Sequence, residues 1–268
     1  MQLRFRIATW NIKAGGLDGG LDSGNDARLK AQIAILADLG ADLVGLQEAK
    51  WGARSNRTLN QIAHALGMTG RTMALSNHHG CHLVQLVRER PGLRVLEERH
   101  DESGSYWHAL GVLRLGIDGL SEVDLLNAHL APSSRSRRLQ EAESFALWKS
   151  TPAIACGDFN AVAAACDDPD TDGLAAIHIE SKLDERPAVV MERTGFKDAA
   201  VPVDDPTPTV GHDKDHLAYR CDRILWANLP GAKIINYQVI PGVHPTSGDR
   251  LSDHDLVAAD LEFEVGDD

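Results

Sequence analysis

The feature that most constrains the fold is a set of short segments between residues 9 and 255, most of which place a polar residue just after an apolar run. The runs have the length and composition of strands, and a polar side chain stands just after most of them. In α/β proteins such strand ends converge on one edge, where binding and catalytic groups collect. The segments are T-W-N at 9–11, L-Q-E at 46–48, N-A-H-L at 127–130, G-D-F-N at 157–160, C-D-R-I at 221–224 and S-D-H-D at 252–255, with a weaker G-C-H-L-V-Q at 80–85.

These segments come from both ends of the 268-residue chain, so a single site would need both halves of the sequence. Since single α/β domains of about 250 residues are common, we predict one domain over residues 1–268. Hydrophobic periodicity predicts strands at 3–9, 41–47, 82–88, 93–99, 106–115, 123–130, 153–157, 221–227, 233–240 and 256–264. Helices are predicted at 26–39, 57–66, 133–148 and 186–196. Hairpin-length and helix-length connections both occur, which favours mixed sheets over a purely parallel one.

Charge and composition limit the classes of partner. The net charge of −12 argues against a protein that coats nucleic acid by bulk attraction, although a nuclease with local basic groups remains compatible. No apolar run approaches the roughly 18 residues that a membrane span needs. We therefore expect no membrane partner. The four cysteines form no C-x-x-C pair, so we expect reduced thiols and a cytoplasmic protein. A monomer is favoured.

The polar segments carry the groups that metal-assisted hydrolysis of a phosphoester requires. Magnesium prefers hard oxygen ligands, and Glu48 at the end of a buried apolar run is the best single candidate. Asn11 could add a carbonyl oxygen and Asp253 a second carboxylate. In G-D-F-N, an extended backbone would project Asp158 and Asn160 to the same side, toward an attacking water and a phosphoryl oxygen.

The histidines supply proton-transfer groups. His254 could act as general acid or base, and Asp222 would fit as the carboxylate that fixes its tautomer. His129 is a second imidazole within reach of a phosphate. Each feature alone has a structural explanation: D-x-N is usually a turn signal, S-D-H-D can be a helix cap, and a strand-end histidine is often only hydrogen-bonded. The joint occurrence in order carries the functional interpretation.

In this combination the chain resembles the endonuclease/exonuclease/phosphatase superfamily, over almost its whole length. The resemblance implies a four-layer α/β sandwich with two mixed sheets face to face and helices outside, and it implies Mg²⁺ or Mn²⁺. The resemblance implies a metal-site role for Asn11, Glu48 and Asp253. It implies that Asp158 and Asn160 act at the attacking water and the phosphate. The same resemblance makes His254 the catalytic histidine, Asp222 its partner and His129 the second histidine.

Several positions depart from that pattern. Lys13 stands where some relatives have a carboxylate, and Lys50 resembles a basic residue near the phosphate. His82 replaces a common residue and is a candidate for substrate binding. Relatives often support the second histidine with an acidic residue before its strand, and 76–79 here contain none. Zinc binding by H-H-G-C-H at 78–82 fits no common closed site.

The R-S-R-R segment at 135–138 leaves two interpretations open. Cations in the first helical turn are disfavoured by the helix dipole by roughly 0.3–1 kcal/mol each, and a substrate phosphate near Arg135 would offset this. The alternative is a solvated helix face. The long acidic stretch at 161–182, with Asp167, Asp168, Asp170 and Asp172, is predicted to be an exposed excursion.

Three functions are compatible with these residues. The first is a divalent-metal-dependent phosphodiesterase, nuclease-like, acting on nucleic acid or a nucleotide-like ester. The second is a phosphomonoesterase or small-molecule phosphatase of the same architecture, which the acidic charge favours mildly. The third, a binding module without catalysis, is disfavoured by the complete set of acidic, amide and imidazole groups.

Replacing Glu48 by Gln, or His254 by Ala, is expected to lower kcat by at least roughly 10²-fold, the usual scale for losing one electrostatic or acid–base contributor. Steady-state kinetics on a phosphoester substrate measure this. Turnover near the wild-type rate in either variant would refute the assignment of that residue.

Overall fold

The computed structural model describes residues 2–20, 24–52, 56–120, 122–164, 166, 169–213 and 216–264. The strands in this part are β1 Gln2–Asn11, β2 Leu43–Gln47, β3 Gly70–Ala74, β4 Leu83–Val87, β5 Leu93–Glu98, β6 Leu110–Ile117, β7 Val123–His129, β8 Ala153–Asp158, β9 Lys197–Asp198, β10 Asp222–Ala227, β11 Lys233–Ile240 and β12 Leu256–Glu264. The helices are α1 Ala27–Leu39, α2 Arg57–Ala65, α3 Arg135–Glu143, α4 Ala176–Lys182 and α5 Arg186–Arg193.

The strands form two six-stranded mixed sheets. Sheet 1 has the order β11-β12-β1-β2-β4-β3, and sheet 2 has the order β5-β6-β7-β8-β10-β9. Each contains one parallel pair at its centre, β1 with β2 and β7 with β8, while the other neighbours run antiparallel. The prediction of mixed sheets is therefore confirmed, and the parallel pairs bring the carboxyl ends of two strands together in each sheet.

Three apolar layers separate the elements. The central layer lies between the sheets and includes Phe5 and Leu43 from sheet 1 and Leu115 and Ile154 from sheet 2. The outer face of sheet 1 packs against α1 and α2, and the outer face of sheet 2 packs against α3 and α5. This is the four-layer α/β sandwich that the resemblance implied. Alternation of apolar side chains along the strands fills both faces of each sheet.

A set of buried amides crosses the central layer; we call Gln47, Gln85 and Asn127 the inter-sheet bridge. Gln47 Nε2 on β2 donates to Asn127 Oδ1 on β7 at 2.7 Å. Asn127 Nδ2 donates back to the Val84 carbonyl of sheet 1 at 2.8 Å, and Gln85 Nε2 donates to the Leu125 carbonyl of sheet 2 at 2.8 Å. A buried amide left without its partner costs about 1–3 kcal/mol, so these bonds fix how the sheets face each other.

Some predicted boundaries were wrong. The strand predicted at 106–115 begins only at Leu110, and the helix predicted at 133–148 divides into α3 and a 3-10 turn at Ser144–Trp148. Strands β3 and β9 were not predicted, because both are short edge strands with exposed positions that weaken the hydrophobic pattern.

The acidic stretch 161–182 is only partly the exposed excursion that was predicted. Asp170 and Asp172 are exposed, whereas Asp167 and Asp168 lie outside the described residues. The end of the stretch forms α4, and its last residue lines the cavity described below. No helix within the described ranges is long and apolar enough to cross a membrane. All four cysteines are free, and three of them are buried.

The two sheets approach each other closely at Gly45. A Cβ atom there would lie 2.5 Å from Cys156 Sγ and 3.2 Å from the Asn127 side chain. Gly45→Ala is therefore expected to lower the free energy of unfolding by about 1–3 kcal/mol through overpacking, measured by urea denaturation.

Cys156→Ala provides the matched control, because it removes the sulfur that the new methyl would meet. The double variant should be less destabilised than the sum of the two single variants. Strict additivity would show that this contact is not the source of the loss.

Candidate active site

The carboxyl ends of β1 and β2 place the first two polar residues side by side. Asn11 is in register with Gln47, so Glu48 follows directly beside it. Asn11 Nδ2 lies 3.4 Å from Glu48 Oε1 and 3.2 Å from Asp158 Oδ2, joining a carboxylate of each sheet. The Ala14 N–H donates to Glu48 Oε2 at 2.9 Å.

The second sheet supplies the opposing residues in the same way. His129 at the end of β7 is in register with Asp158 at the end of β8, and Asp222 at the start of β10 faces Asp158 from the other side. Gly157 makes this possible: its φ is 146°, and a Cβ atom would lie 2.0 Å from the Ala128 carbonyl oxygen. A side chain at this position would push β8 away from β7.

Asp158 is the centre of the arrangement. Its Oδ2 lies 3.4 Å from His129 Nε2 and 3.7 Å from His254 Nε2, and its Oδ1 accepts the Asn160 N–H at 2.8 Å. Burial alone would raise the pKa of this carboxyl, but charged neighbours, His254 and Lys182 among them, outweigh burial and hold the pKa well below its usual range. Asp158 is therefore ionised although its exposed fraction is only 1%.

Two of the polar residues adopt left-handed backbone conformations. Glu48 has φ 58° and Asn160 has φ 51°. Such a conformation costs a residue with a side chain about 1–3 kcal/mol and persists only where the surroundings enforce it. Asn160 is held by its Nδ2, which donates to the Leu130 carbonyl at 3.0 Å, and by its Oδ1, which accepts from Lys182 Nζ at 2.9 Å.

His254 and Asp222 form a buried ion pair. His254 Nδ1 lies 2.9 Å from Asp222 Oδ2, and Thr209 Oγ1 donates to the same oxygen at 2.6 Å. Burial alone would lower the pKa of His254, but the charges of Asp222 and Asp158 raise it well above its ordinary value. The ring is therefore a cation that donates from Nδ1 and presents Nε2–H toward Asp158, a geometry suited to a general acid.

His129 is supported by a second imidazole instead of a carboxylate. Its ring stacks on His108 with centroids 4.2 Å apart and planes at 26°, and His108 Nδ1 lies 2.9 Å from Ser76 Oγ. Burial lowers the pKa of both histidines, that of His108 to about 3. His129 Nδ1 has no hydrogen-bond partner among the described residues. A neutral His129 can donate from Nε2 to Asp158 or to a phosphoryl oxygen.

Other predicted site residues contact groups other than Asp158. The Asp253 side chain is 59% exposed, and its carboxylate lies 3.4 Å from Lys13 Nζ. His82 is buried, and its Nδ1 accepts the Ser76 N–H at 3.0 Å. Lys50 is half-buried, and its backbone N–H donates to the Glu48 carbonyl at 2.7 Å.

The arginines of α3 are bound to protein groups. Arg135 pairs with Glu180 and lies 3.4 Å from Asp184, so a substrate phosphate would have to displace carboxylates. Arg138 is fully buried and donates to the Ala131 carbonyl at 2.9 Å, which rules out a solvated helix face at that position. These contacts offset the unfavourable helix dipole without a substrate.

One group of potential metal ligands is compact. Among the described residues, Asp158, Cys221, Asp222 and His254 have ligand atoms within 4.8 Å of one another. The 78–82 segment yields no such group among those residues, so the zinc interpretation gains no support there. Glu48 is not a member of this group; its carboxylate and that of Asp158 are joined by the amide nitrogen of Asn11.

A cavity of about 620 Å³ adjoins the site at His254 and is also lined by Asn160 and Lys182, among others. Lys182, His108 and Thr209 are contacts of the site that sequence reasoning missed. Lys182 lies inside the acidic stretch, His108 lies two residues before β6, and Thr209 lies in a Pro- and Asp-rich loop. None follows a strand, which was the signal that identified Asn11, Glu48, His129 and Asp158.

An ionised aspartate flanked by two imidazoles and two amides, at the common edge of two facing mixed sheets, defines a phosphoester hydrolase of the α/β-sandwich class. The sequence model of the Endonuclease/Exonuclease/phosphatase family matches residues 8–254, and the chain belongs to that family.

Solved structures share this fold. An endonuclease/exonuclease/phosphatase family protein from Bacteroides thetaiotaomicron is 15% identical with a TM-score of 0.70, covering 98% of this chain and 96% of that chain. D. rerio TDP2 complexed with a single-strand DNA product is 16% identical with a TM-score of 0.64, covering 96% and 98%. ANGEL2, a 2',3'-cyclic phosphatase, in complex with adenosine-2',3'-vanadate, is 13% identical with a TM-score of 0.66, covering 98% and 97%. A sequence comparison with curated proteins gives no significant match.

The His254–Asp222 pair predicts a pH effect. If protonated His254 is the acid, activity is present below its pKa and is lost as pH rises through it. Asp222→Asn removes the charge that raises this pKa, so the alkaline limb of the kcat profile should move to lower pH by roughly 1–3 units. A pH–rate profile measures the shift.

Thr209→Val is the matched control, because it removes one hydrogen bond to Asp222 but keeps the charge. It should move the limb much less than Asp222→Asn does. An alkaline limb at the wild-type position in Asp222→Asn would contradict the role of the pair.

Proposed function

We propose that the protein hydrolyses phosphodiester bonds in a nucleic acid or a nucleotide-like ester by in-line attack of water. The observation that carries the proposal is the convergence on Asp158 Oδ2 of Asn11 Nδ2, His129 Nε2 and His254 Nε2, at distances of 3.2, 3.4 and 3.7 Å. A buried carboxylate surrounded by donors can orient a water and accept its proton next to groups that bind a phosphoryl oxygen.

The roles follow from the charges. Asp158 is ionised and serves as the base that holds the water. Cationic His254 protonates the leaving oxygen, with Asp222 holding its Nδ1–H. Neutral His129 donates to a phosphoryl oxygen, and the fixed amide of Asn160 orients the phosphate or the water. Each of these groups is held by the fold before substrate binds, which reduces the reorganisation needed at the transition state.

Glu48 and Asn11 fit a divalent cation. The half-buried Glu48 carboxylate accepts only the neutral N–H groups of Asn11 and Ala14, and among the described residues no Lys, Arg or His pairs with it. A carboxylate without a counter-charge is a hard-oxygen donor suited to Mg²⁺ or Mn²⁺. Asn11, whose Oδ1 accepts the Lys13 N–H at 3.1 Å, is a proposed contributor beside it. When bound there, the ion would offset charge on the phosphoryl oxygens.

The compact group of Asp158, Cys221, Asp222 and His254 suits a cation less well. His254 is protonated, and burial raises the pKa of the Cys221 thiol to about 12. Asp253 remains a proposed outer carboxylate at the rim, where it neutralises Lys13. Lys50, His82 and Arg135 remain proposed substrate contacts.

A small phosphoester is the second candidate, and one observation favours it. Three of the cations that line the cavity are paired with carboxylates: Lys13 with Asp253 at 3.4 Å, Arg28 with Asp18 at 2.9 Å and Arg250 with Asp255 at 3.0 Å. Paired cations attract a long polyanion weakly. ANGEL2 carries the description of a 2',3'-cyclic phosphatase, and D. rerio TDP2 was solved with a single-strand DNA product, so both substrate classes occur on this fold.

We also propose that the protein is a cytoplasmic monomer.

Chelation should abolish hydrolysis, and Mg²⁺ or Mn²⁺ should restore it, because the proposed site holds a hard cation. The assay uses single-stranded DNA, double-stranded DNA, RNA, a 2',3'-cyclic nucleotide and a phosphomonoester in parallel. Preference for the polymers supports the nuclease-like function, whereas preference for the cyclic nucleotide or the monoester supports the second candidate.

Glu48→Gln should raise the concentration of Mg²⁺ needed for half-maximal activity, since it removes the charge of the proposed ligand. Glu143→Gln, an exposed position at the end of α3, is the control and should match the wild type. Undiminished hydrolysis in excess chelator would exclude the metal mechanism.

A further inference from the structure

Lys182 reaches the site from α4, a helix within the stretch that sequence reasoning treated as an exposed excursion. Its Nζ donates to Asn160 Oδ1 at 2.9 Å and to the Pro132 carbonyl at 3.1 Å. The side chain lines the same cavity as Asn160 and His254. A lysine therefore touches one of the proposed catalytic amides directly.

The backbone of Lys182 is held from two sides. The buried Arg138 of α3 donates to the Ser181 carbonyl, and Arg135 pairs with Glu180, so the first turn of α3 anchors the end of α4. From the other side, the Val162 N–H donates to the Lys182 carbonyl at 2.9 Å. These contacts reduce the conformational entropy that ordering a long lysine side chain would otherwise cost.

The position is electrostatically unusual for a lysine. Burial lowers the pKa of Lys182, and the negative charge of Asp158 opposes this shift. An ammonium has three N–H donors, and two of them have acceptors among the described residues. The remaining donor is available to a ligand in the cavity, and an anionic oxygen would compensate a partly desolvated cation better than water does.

We propose that Lys182 is a further catalytic residue, which donates a hydrogen bond to a phosphoryl oxygen of the substrate while it fixes the Asn160 amide. This inference rests on the proposed function. It also gives the R-S-R-R segment a role: Arg135 and Arg138 hold the helix that carries the phosphate-binding cation.

The test measures binding of inorganic phosphate to the Mg²⁺-loaded full-length protein by titration calorimetry, together with kcat/KM on the best substrate. Lys182→Met should weaken phosphate binding about 10- to 100-fold, the scale of one charge-assisted hydrogen bond, and lower kcat/KM by about 10²-fold. Lys182→Arg keeps the charge and should recover part of both losses. Lys149→Met, at an exposed lysine, should change neither.

Lys182→Gln guards against a folding defect, because its amide can still donate to Asn160 without a charge. A melting temperature near the wild-type value with weakened phosphate binding supports the proposal. Wild-type phosphate affinity in either neutral variant, or no phosphate binding by the wild type, would overturn it. If the wild type binds phosphate through Lys182 but hydrolyses no phosphoester, the proposed function fails and the assignment of Lys182 as a phosphate ligand stands.

Discussion

The hydrogen bonds of the inter-sheet bridge are the interaction on which the rest of the structure depends. Apolar packing alone would let the two sheets slide, since hydrophobic contact has no direction. The amides of Gln47, Gln85 and Asn127 each need a particular partner on the opposite sheet, so they select one relative position. That position sets the ends of β1 and β2 against the ends of β7 and β8. Asn11 can then reach the Asp158 carboxylate across the gap.

The chemistry follows from how charges are distributed around Asp158. One imidazole is made cationic by the buried carboxylate of Asp222, and the other stays neutral because burial and the positive charge of His254 lower its pKa. Two identical side chains thus hold different protonation states a few ångströms from one carboxylate. This division between an acid and a neutral donor is the usual requirement for proton transfer at near-neutral pH. It arises from the surroundings of each ring: Asp222, the first residue of β10, lies against His254, whereas His129 is buried at the end of β7.

Most of the fold and the centre of the site could be predicted from the sequence. The strand pattern has period two, and polar residues after strands are recognisable, so Asn11, Glu48 and Asp158 were expected to meet, while His254 was identified by its S-D-H-D segment. Residues placed by long-range packing were not. Lys182 ends a short helix in an acidic segment with little apolar periodicity, and its contact with Asn160 depends on two arginines of another helix. The exposure of Asp253 likewise depends on how the chain turns before β12, which a four-letter motif does not encode.

The left-handed backbone at Glu48 and Asn160 has a consequence for the evolution of the protein. Glycine adopts these conformations with less strain. Substitution by glycine would therefore reduce the backbone strain of the native state, but it would remove a side chain that the site uses. Selection for stability therefore favours glycine at these two positions, whereas selection for activity favours the residues that are present. In a homologue that had lost activity, selection would no longer keep the side chains at these two positions. Glycine at both of them would therefore indicate an inactive homologue.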